Sequence, residues 1–469
     1  MRWRMSVLVI LLALNVMLLG AISEKPLPGD TKGASGIGDP YFPMLGNGGY
    51  DVSHYTIDLA VEMDVRLIDG SATLTMQATQ DLTQFNLDFG GYTIESVEVD
   101  GQVVPYERDQ RELIITPHAL IPEGRTFTTR VTYSGTPGQK TDTSYVFAGG
   151  WAFYASGSYV ASEPDGASLW FPANDHPQDK ATFTFIINVA KPYVVAANGL
   201  LTNVQDDEAS SRWTYTYQLR EPAAPYLATV NIHEFVQQNE EGGPVPIRNF
   251  FPKDRAEKGK ETFAMTGEMI AYYQTLFGDY PFEVYGAVVA NTSLPFALET
   301  QTLSLFGRDV IGGRGSEIVI AHELAHQWFG NSISVKTWRD IWLNEGFATY
   351  VSALWIEHKY GTAPFDKLMA SWRKFISDPD VIARAPLIGD PGARSIFDLN
   401  VYYKGAWTLH ALRLKVGDEM FFQILRMYYT QYKTGNARIE DFIATAEAVS
   451  GQDLREFFNG WLYAHAIPG

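Results

Sequence analysis

From about residue 50 the chain alternates between apolar and polar positions. Tyr55, Ile57, Leu59 and Val61 take every second place, the period of a strand with one buried face. Asp69-Gly70 turns the chain into Ala72, Leu74 and Met76, which alternate again, and Asp100-Gly101 marks a second hairpin. Similar runs predict strands over 112–116, 126–133, 181–189, 213–219 and 227–232. Residues 46–240 therefore read as an all-β domain, an antiparallel sheet or sandwich.

The period changes after about residue 244. Phe263, Ile270, Tyr273 and Phe277 recur at helical spacing and predict a helix over 258–277. Ser316 is a candidate N-cap for a helix over 316–330, with Gly330 as its stop. A further helix over 340–360 ends at Gly361, and beyond 405 the pattern is helical nearly to the end. Residues 241–469 thus read as a mostly helical α+β domain, divided from the β domain by the polar, Gly-containing stretch 237–243. The Gly-, Pro- and Asp-rich stretch 24–45 reads as a flexible lead-in. No internal repeat is visible.

Composition narrows the chemistry. A length of 469 residues calls for more than one core. A net charge of -18 disfavours nucleic acid as a partner, because it repels phosphates. With no cysteine, thiol catalysis, thiolate metal sites and disulfides are excluded, so a metal here needs His and carboxylate ligands. Residues 1–5 are short and basic, 6–22 almost wholly apolar, and Ala21 and Ser23 are spaced like a signal-peptidase site. The expectation is an exported protein cleaved near Ser23, with an uncleaved N-terminal membrane anchor as the alternative. The part after it then works outside the cytosol.

His322-Glu323-Leu324-Ala325-His326 is an H-E-x-x-H motif within a predicted helix. Residues four apart share a helix face, so both imidazoles can reach one ion. Zinc suits imidazole and carboxylate ligands, and a catalytic zinc keeps three protein ligands and one open position. Glu323 lies beside that face, placed to take a proton from attacking water. Glu345, 19 positions after His326 and on the next helix, is the best candidate third ligand. The other seven histidines (His54, His118, His176, His233, His358, His410, His465) show no ligand spacing and read as structural or surface residues.

The block from His322 to Asn331, with Lys336-Thr337-Trp338 through Leu343-Asn344-Glu345-Gly346 to Tyr350, resembles the M1 family of zinc aminopeptidases, within the thermolysin-like gluzincins. The resemblance runs from about residue 50 to the C-terminus. It implies a β domain followed by a thermolysin-like catalytic domain, one zinc per chain on His322, His326 and Glu345, and peptide substrates with a free N-terminus. Tyr402-Tyr403-Lys404-Gly405 is similar to the family's Y-x-K-G, which implies Tyr402 as the oxyanion donor such a peptidase needs.

An exopeptidase must also recognise an α-ammonium, and a buried carboxylate at a fixed distance from the metal does so. The segment 296–302 is similar to the family's G-x-M-E-N, with Glu299 on the Glu and Ala297 and Leu298 beside it. Phe296, Leu298 and Thr300 stand where the family has Gly, Met and Asn. The following Thr302-Leu303-Ser304-Leu305-Phe306 is expected to be an edge strand along the cleft, able to pair with an extended peptide. Glu163, before Pro164, takes the place of a second family residue that binds the substrate amine. The family's large helical C-terminal domain has no counterpart before Gly469, so the expectation is a short form with a more open cleft. An endopeptidase of the same clan and a catalytically silent peptide-binding homologue are the rival readings. Glu299 and Glu163 argue against the first, and the complete set of ligands, base and tyrosine against the second.

Overall fold

The computed structural model describes residues 31–137 and 149–468. The apolar segment 6–22 and the cleavage site expected near Ser23 lie outside them. Strand Tyr50–Glu62 carries the predicted alternation with one change of phase. Tyr50 and Val52 face inward; past a register shift between Val52 and His54, the inward set becomes Tyr55, Ile57, Leu59 and Val61. A bulge of this kind is what lets both halves of one strand reach the same core. The strand lies mid-sheet, antiparallel to Leu67–Ala78 and parallel to Ala181–Ala190. The eight-stranded order is Leu200–Asp207, Arg212–Ala223, Ala181–Ala190, Tyr50–Glu62, Leu67–Ala78, Thr126–Gly135, Thr93–Val99 and Gln102–Val103. A four-stranded sheet, ordered Val194–Ala197, Val230–His233, Gly157–Ala161 and Gly150–Tyr154, belongs to the same β domain. The strand expected over 227–232 starts only at Val230, because Pro225–Leu227 forms a 3-10 turn with Pro225 opening it.

Two expectations about domain edges are corrected. The linker placed at 237–243 falls inside a hairpin: Phe235–Glu240 pairs antiparallel with Ile247–Pro252 in the second domain's sheet. Its polar composition is that of an edge strand whose alternate residues meet solvent. The flexible lead-in over 24–45 is tied down where it is described. The Asp39 carboxylate, buried, accepts from the backbone N–H groups of Tyr41 (2.7 Å), Phe42 (2.9 Å) and Trp338 (2.8 Å) and meets His176 Nε2 at 3.1 Å. The Gly and Pro residues make turns here and not a loose tail.

The second domain's sheet runs Phe235–Glu240, Ile247–Pro252, Ala287–Ala290, Ser304–Gly307, Ala297–Leu298. Its helices are α1 (Ala256–Phe263), α2 (Thr266–Phe277), α3 (Ser316–Ala325), α4 (Trp342–Tyr360), α5 (Thr362–Ile376), α6 (Pro379–Arg384), α7 (Leu399–Val416), α8 (Asp418–Tyr432), α9 (Ile439–Ser450) and α10 (Arg455–Leu462). The single helix expected over 258–277 is two, with the Thr266 hydroxyl donating to the Phe263 carbonyl (2.7 Å) at the break. Ser316 is not a cap. It is the first residue inside α3, its hydroxyl donates to the Gly313 carbonyl (2.8 Å), and Gly315 before it has φ +80°. α3 ends at Ala325, and tight turns carry the chain on past Gly330. Among the described residues no helix is long and apolar enough to cross a membrane.

A small second core joins the domains. Tyr159, Ala161 and Ala196 of the four-stranded sheet cluster with Phe250, Val288, Leu298 and Leu305 of the five-stranded one. Burying each larger side chain there contributes about 1.5–3 kcal/mol. This seam packs residues of strand Gly157–Ala161 in one cluster with Leu298 of strand Ala297–Leu298; Glu163 lies two residues beyond the first strand and Glu299 one beyond the second.

Candidate active site

α3 and its C-cap residue present His322 and His326 one turn apart on one face. Their Nε2 atoms lie 3.0 Å from each other. Glu345 Oε2 lies 3.3 Å from His322 Nε2 and 3.5 Å from His326 Nε2. Ligand atoms about 2.0–2.1 Å from a tetrahedral zinc stand roughly 3.3 Å apart, so these three atoms have the spacing of one zinc's ligands. His326 Nδ1 faces the Phe329 carbonyl at 3.0 Å, a contact that puts the ring proton on Nδ1 and leaves Nε2 free to ligate.

Glu345 arrives on the first turn of α4, where the helix dipole favours a carboxylate. The next residue explains the depth of the approach. A Cβ on Gly346 would lie 2.9 Å from Gly405 Cα, and one on Gly405 would lie 2.8 Å from Gly346 Cα. The backbones of α4 and α7 therefore touch at this pair, and no larger residue fits either position without moving a helix. The crossing also carries Tyr402 to the metal face, where its ring stacks 5.9 Å from that of His322 at 19°. Tyr403 turns away, stacked on Trp372 (5.4 Å, 14°) with its ring at right angles to Phe375. Of the two tyrosines only Tyr402 stands at the site.

Glu299 is held by its backbone as much as its side chain. Its carbonyl accepts from Gln327 Nε2 (3.0 Å) and Asn331 Nδ2 (2.7 Å), both just beyond α3, and its Oε1 lies 3.5 Å from the Tyr226 hydroxyl. Gln327 Oε1 also accepts from Thr302 N–H (2.9 Å), which fixes the far side of the same turn. Atoms of Glu299, Glu323 and His326 lie within 4.8 Å of one another. Glu163 is buried beside them, and its Oε1 has no hydrogen-bond partner among the described residues. Ala297–Leu298, not the following run, is the edge of the sheet. It pairs with Phe306 and Leu305 on one side only, whereas Ser304–Gly307, expected at the edge, is covered on both.

Four carboxylates are thus buried around two imidazoles: Glu163, Glu299, Glu323 and Glu345. Among the described residues no Lys or Arg pairs with them. Burial, then the charge of Glu299, holds Glu163 well above the usual carboxylate range, and burial does the same to Glu323. Burial also raises Glu299, with His326 opposing it. Glu345 goes the other way: burial alone would raise it, but the two histidines pull it down to about 2. Burial would lower His326, yet Glu345 and Glu299 drive it up to about 10. The protein alone leaves this cluster short of positive charge. A divalent cation on His322, His326 and Glu345 would supply it, and an N₂O donor set suits zinc.

The remaining histidines serve packing and local bonding. His176 pairs with Asp39, His233 faces the Ser156 carbonyl (2.7 Å), His358 stacks on Tyr272 (3.9 Å), and His410 lies against Trp407 and Tyr350.

A Peptidase family M1 domain matches residues 262–461, and a Peptidase M1 N-terminal domain matches 51–227. A crystal structure of a mutant M1 zinc metallopeptidase from Deinococcus radiodurans, bound to a Tyr-Ser-Ala substrate, is 30% identical with a TM-score of 0.82. The match covers 92% of this chain and 99% of that one. This chain belongs to peptidase family M1. A two-domain M1 zinc metallopeptidase mutant bound to L-tryptophan is similar over the same shares, with a TM-score of 0.83 and 29% identity. The "Probable aminopeptidase 2" of Sulfurisphaera tokodaii is 27% identical over 411 residues, 81% of this chain and 50% of its own length. The chain spans about half the length of the first curated relatives it matches.

Sequence reasoning did not single out Tyr226, Gln327 or Asn331. Gln327 and Asn331 stand inside the block that carries the M1 resemblance, and two amides so close behind H-E-x-x-H were a usable signal. Tyr226, in an apolar run 73 residues before Glu299, gave none.

Proposed function

We propose that this protein is a zinc-dependent aminopeptidase that removes the N-terminal residue from peptides. The observation that carries the reading is a pair of buried carboxylates, Glu163 and Glu299, set beside a three-ligand metal site with no Lys or Arg among the described residues to pair with. A peptide's α-ammonium is the charge they lack. When bound, zinc supplies a Lewis acid for the scissile carbonyl and an acidified water as nucleophile.

The side chains divide the rest of the work. Glu299 and Glu163 take the ammonium and so fix how far the chain can enter. Ala297 and Leu298 offer the free backbone edge to the extended substrate. The Glu323 carboxylate accepts a proton from the attacking water and returns it to the leaving nitrogen. The Tyr402 hydroxyl donates to the carbonyl oxygen as negative charge develops on it. The relatives named aminopeptidases, and the metallopeptidase bound to Tyr-Ser-Ala, support peptides as the substrate class. The basic, apolar and small-residue order of residues 1–23 supports export, with cleavage near Ser23 or retention as an anchor.

Aminoacyl fluorogenic substrates and their N-acetylated counterparts test the activity. The free-amine series should be cleaved, the acetylated series left, and chelation should abolish turnover until zinc is restored. Equal cleavage of both series would favour the endopeptidase reading.

A further inference from the structure

Lys180 carries a charge that the chemistry above does not use. It stands between the loop 174–179 and strand Ala181–Ala190 of the β domain. Part of the residue reaches the surface, but its ammonium is enclosed. Nζ donates to the carbonyls of Asn331 (2.8 Å), Ser332 (2.9 Å) and Gly435 (3.4 Å). An ammonium has three N–H groups, and these acceptors use all three. Burial alone acts on it, lowering it to about 7, and among the described residues no acidic group offsets the effect. A buried cation without a carboxylate is costly, and three backbone carbonyls are an unusual way to hold one.

All three acceptors belong to the other domain. Asn331 and Ser332 form the turn that leaves α3 behind His326. Gly435 accepts from Ser334 N–H (3.0 Å) and leads into strand Asn436–Ala437, which runs parallel to Ser334–Val335. Asn436 Nδ2 donates to the Pro177 carbonyl (2.8 Å), a second tie between the same two loops. Asn331 then passes the grip onward, because its side-chain amide holds the Glu299 carbonyl. On the β-domain side, the Lys180 loop is tied to the loop bearing Glu163. The Asp175 carboxylate accepts from Ser168 N–H (2.9 Å), and Gly166 N–H donates to the Ser162 carbonyl (2.6 Å).

We propose that Lys180 is a positioning residue for amine recognition, holding the turn that carries Asn331, and through it Glu299, in register with Glu163 of the β domain. The role rests on the reading that Glu299 and Glu163 bind the substrate ammonium. Lys180 touches neither substrate nor metal. Its effect is on the separation of two carboxylates supplied by two domains.

The test uses the full-length, zinc-loaded protein and a free-amine aminoacyl substrate. Lys180→Met keeps the stem and removes the three donors. KM should rise by about tenfold with kcat within about threefold, and zinc should stay at one per chain. The same substitution in a Glu163→Gln background should raise KM by less than about twofold, because the register it keeps no longer matters. An unchanged KM, or an equal rise in both backgrounds, overturns the role. Should Lys180→Met fail to fold, Asn331→Ala cuts the next link, from the Asn331 amide to the Glu299 carbonyl, while sparing the ammonium and its carbonyl acceptors, and no rise in KM, or an equal rise in both backgrounds, overturns the relay through Asn331. A wild type that cleaves N-acetylated and free substrates alike overturns the amine-binding reading and this role with it. A wild type that discriminates, with Lys180→Met leaving that discrimination intact, overturns this role alone.

Discussion

His322, His326 and Glu345 come from two helices that pack directly on each other, whereas Glu163 and Glu299 come from loops of two different domains. On the metal side, one helical turn sets the two imidazole Nε2 atoms 3.0 Å apart, and the Gly346–Gly405 contact locks α4 against α7. On the amine side, the position of Glu299 depends on Gln327, Asn331 and Tyr226, and that of Glu163 on an apolar seam between sheets. The first arrangement is set by helix geometry, and the second by hydrogen bonds between segments far apart in the chain. Damage to the metal side should therefore abolish chemistry, while damage to the amine side should loosen selection and leave the chemistry in place.

The largest effect should come from the base. Glu323→Gln removes a proton acceptor and no ligand, so kcat should fall by about 10²–10⁴ with zinc retained. His322→Ala and Glu345→Ala should lose the zinc itself, and elemental analysis of the purified variants separates the two classes. Zinc retained at full occupancy in Glu345→Ala would remove that residue from the ligand set.

Tyr402→Phe should lower kcat by about 10²–10³ with little change in KM, because the proposed role has its hydroxyl meet charge that develops only in the transition state. Tyr403→Phe, whose ring packs on Trp372, should keep near-wild-type kcat. The reverse ranking would mean that α7 presents a different face to the metal.

Gly405→Ala sharpens the claim that a helix contact sets the metal side. The added methyl meets Gly346 Cα at 2.8 Å, so α4 and α7 must separate. Overpacking of this kind costs about 1–3 kcal/mol, readable by denaturant unfolding, and kcat should fall with it. Wild-type stability and kcat in this variant would show that the contact is not needed.

The smallest effect is a control outside both regions. Burial and the Arg413 charge hold His410 down to about 4, against 6.5 when unfolded. Between those values the unfolded chain binds a proton that the folded one does not, so stability falls as pH drops through the window. His410→Phe should lose less Tm than wild type between pH 6.5 and 4, with catalysis unchanged. An identical Tm profile would remove His410 from the acid response.

The same contrast explains what the sequence made legible. Strands 126–133 and 181–189 and the helix bearing Glu345 were readable because alternation, helical spacing and the H-E-x-x-H motif are local signals. The boundary at 237–243 was misplaced because a polar edge strand has the composition of a linker. Asp39 looked like part of a loose tail because its partners, Trp338 and His176, lie 299 and 137 residues away. The misread edge strand has the same origin: Ala297–Leu298 is too short to show a period, and only its pairing with Leu305 and Phe306 reveals it as the edge. Tyr226 and Lys180 likewise act at a distance that no sequence window covers.

The central claim is that a metal site able to cleave any peptide bond is made an aminopeptidase by a carboxylate that measures from the free amine. It is tested most directly by kcat/KM for free and N-acetylated forms of one substrate, in wild type and in Glu299→Ala, both with zinc bound. Losing one partner of a buried charge pair costs about 2–5 kcal/mol, and each 1.4 kcal/mol is about tenfold. Glu299→Ala should therefore lose at least about tenfold toward the free amine, with the acetylated form poor in both proteins. A wild type that cleaves the two forms equally, together with a Glu299→Ala that changes neither, would contradict the account.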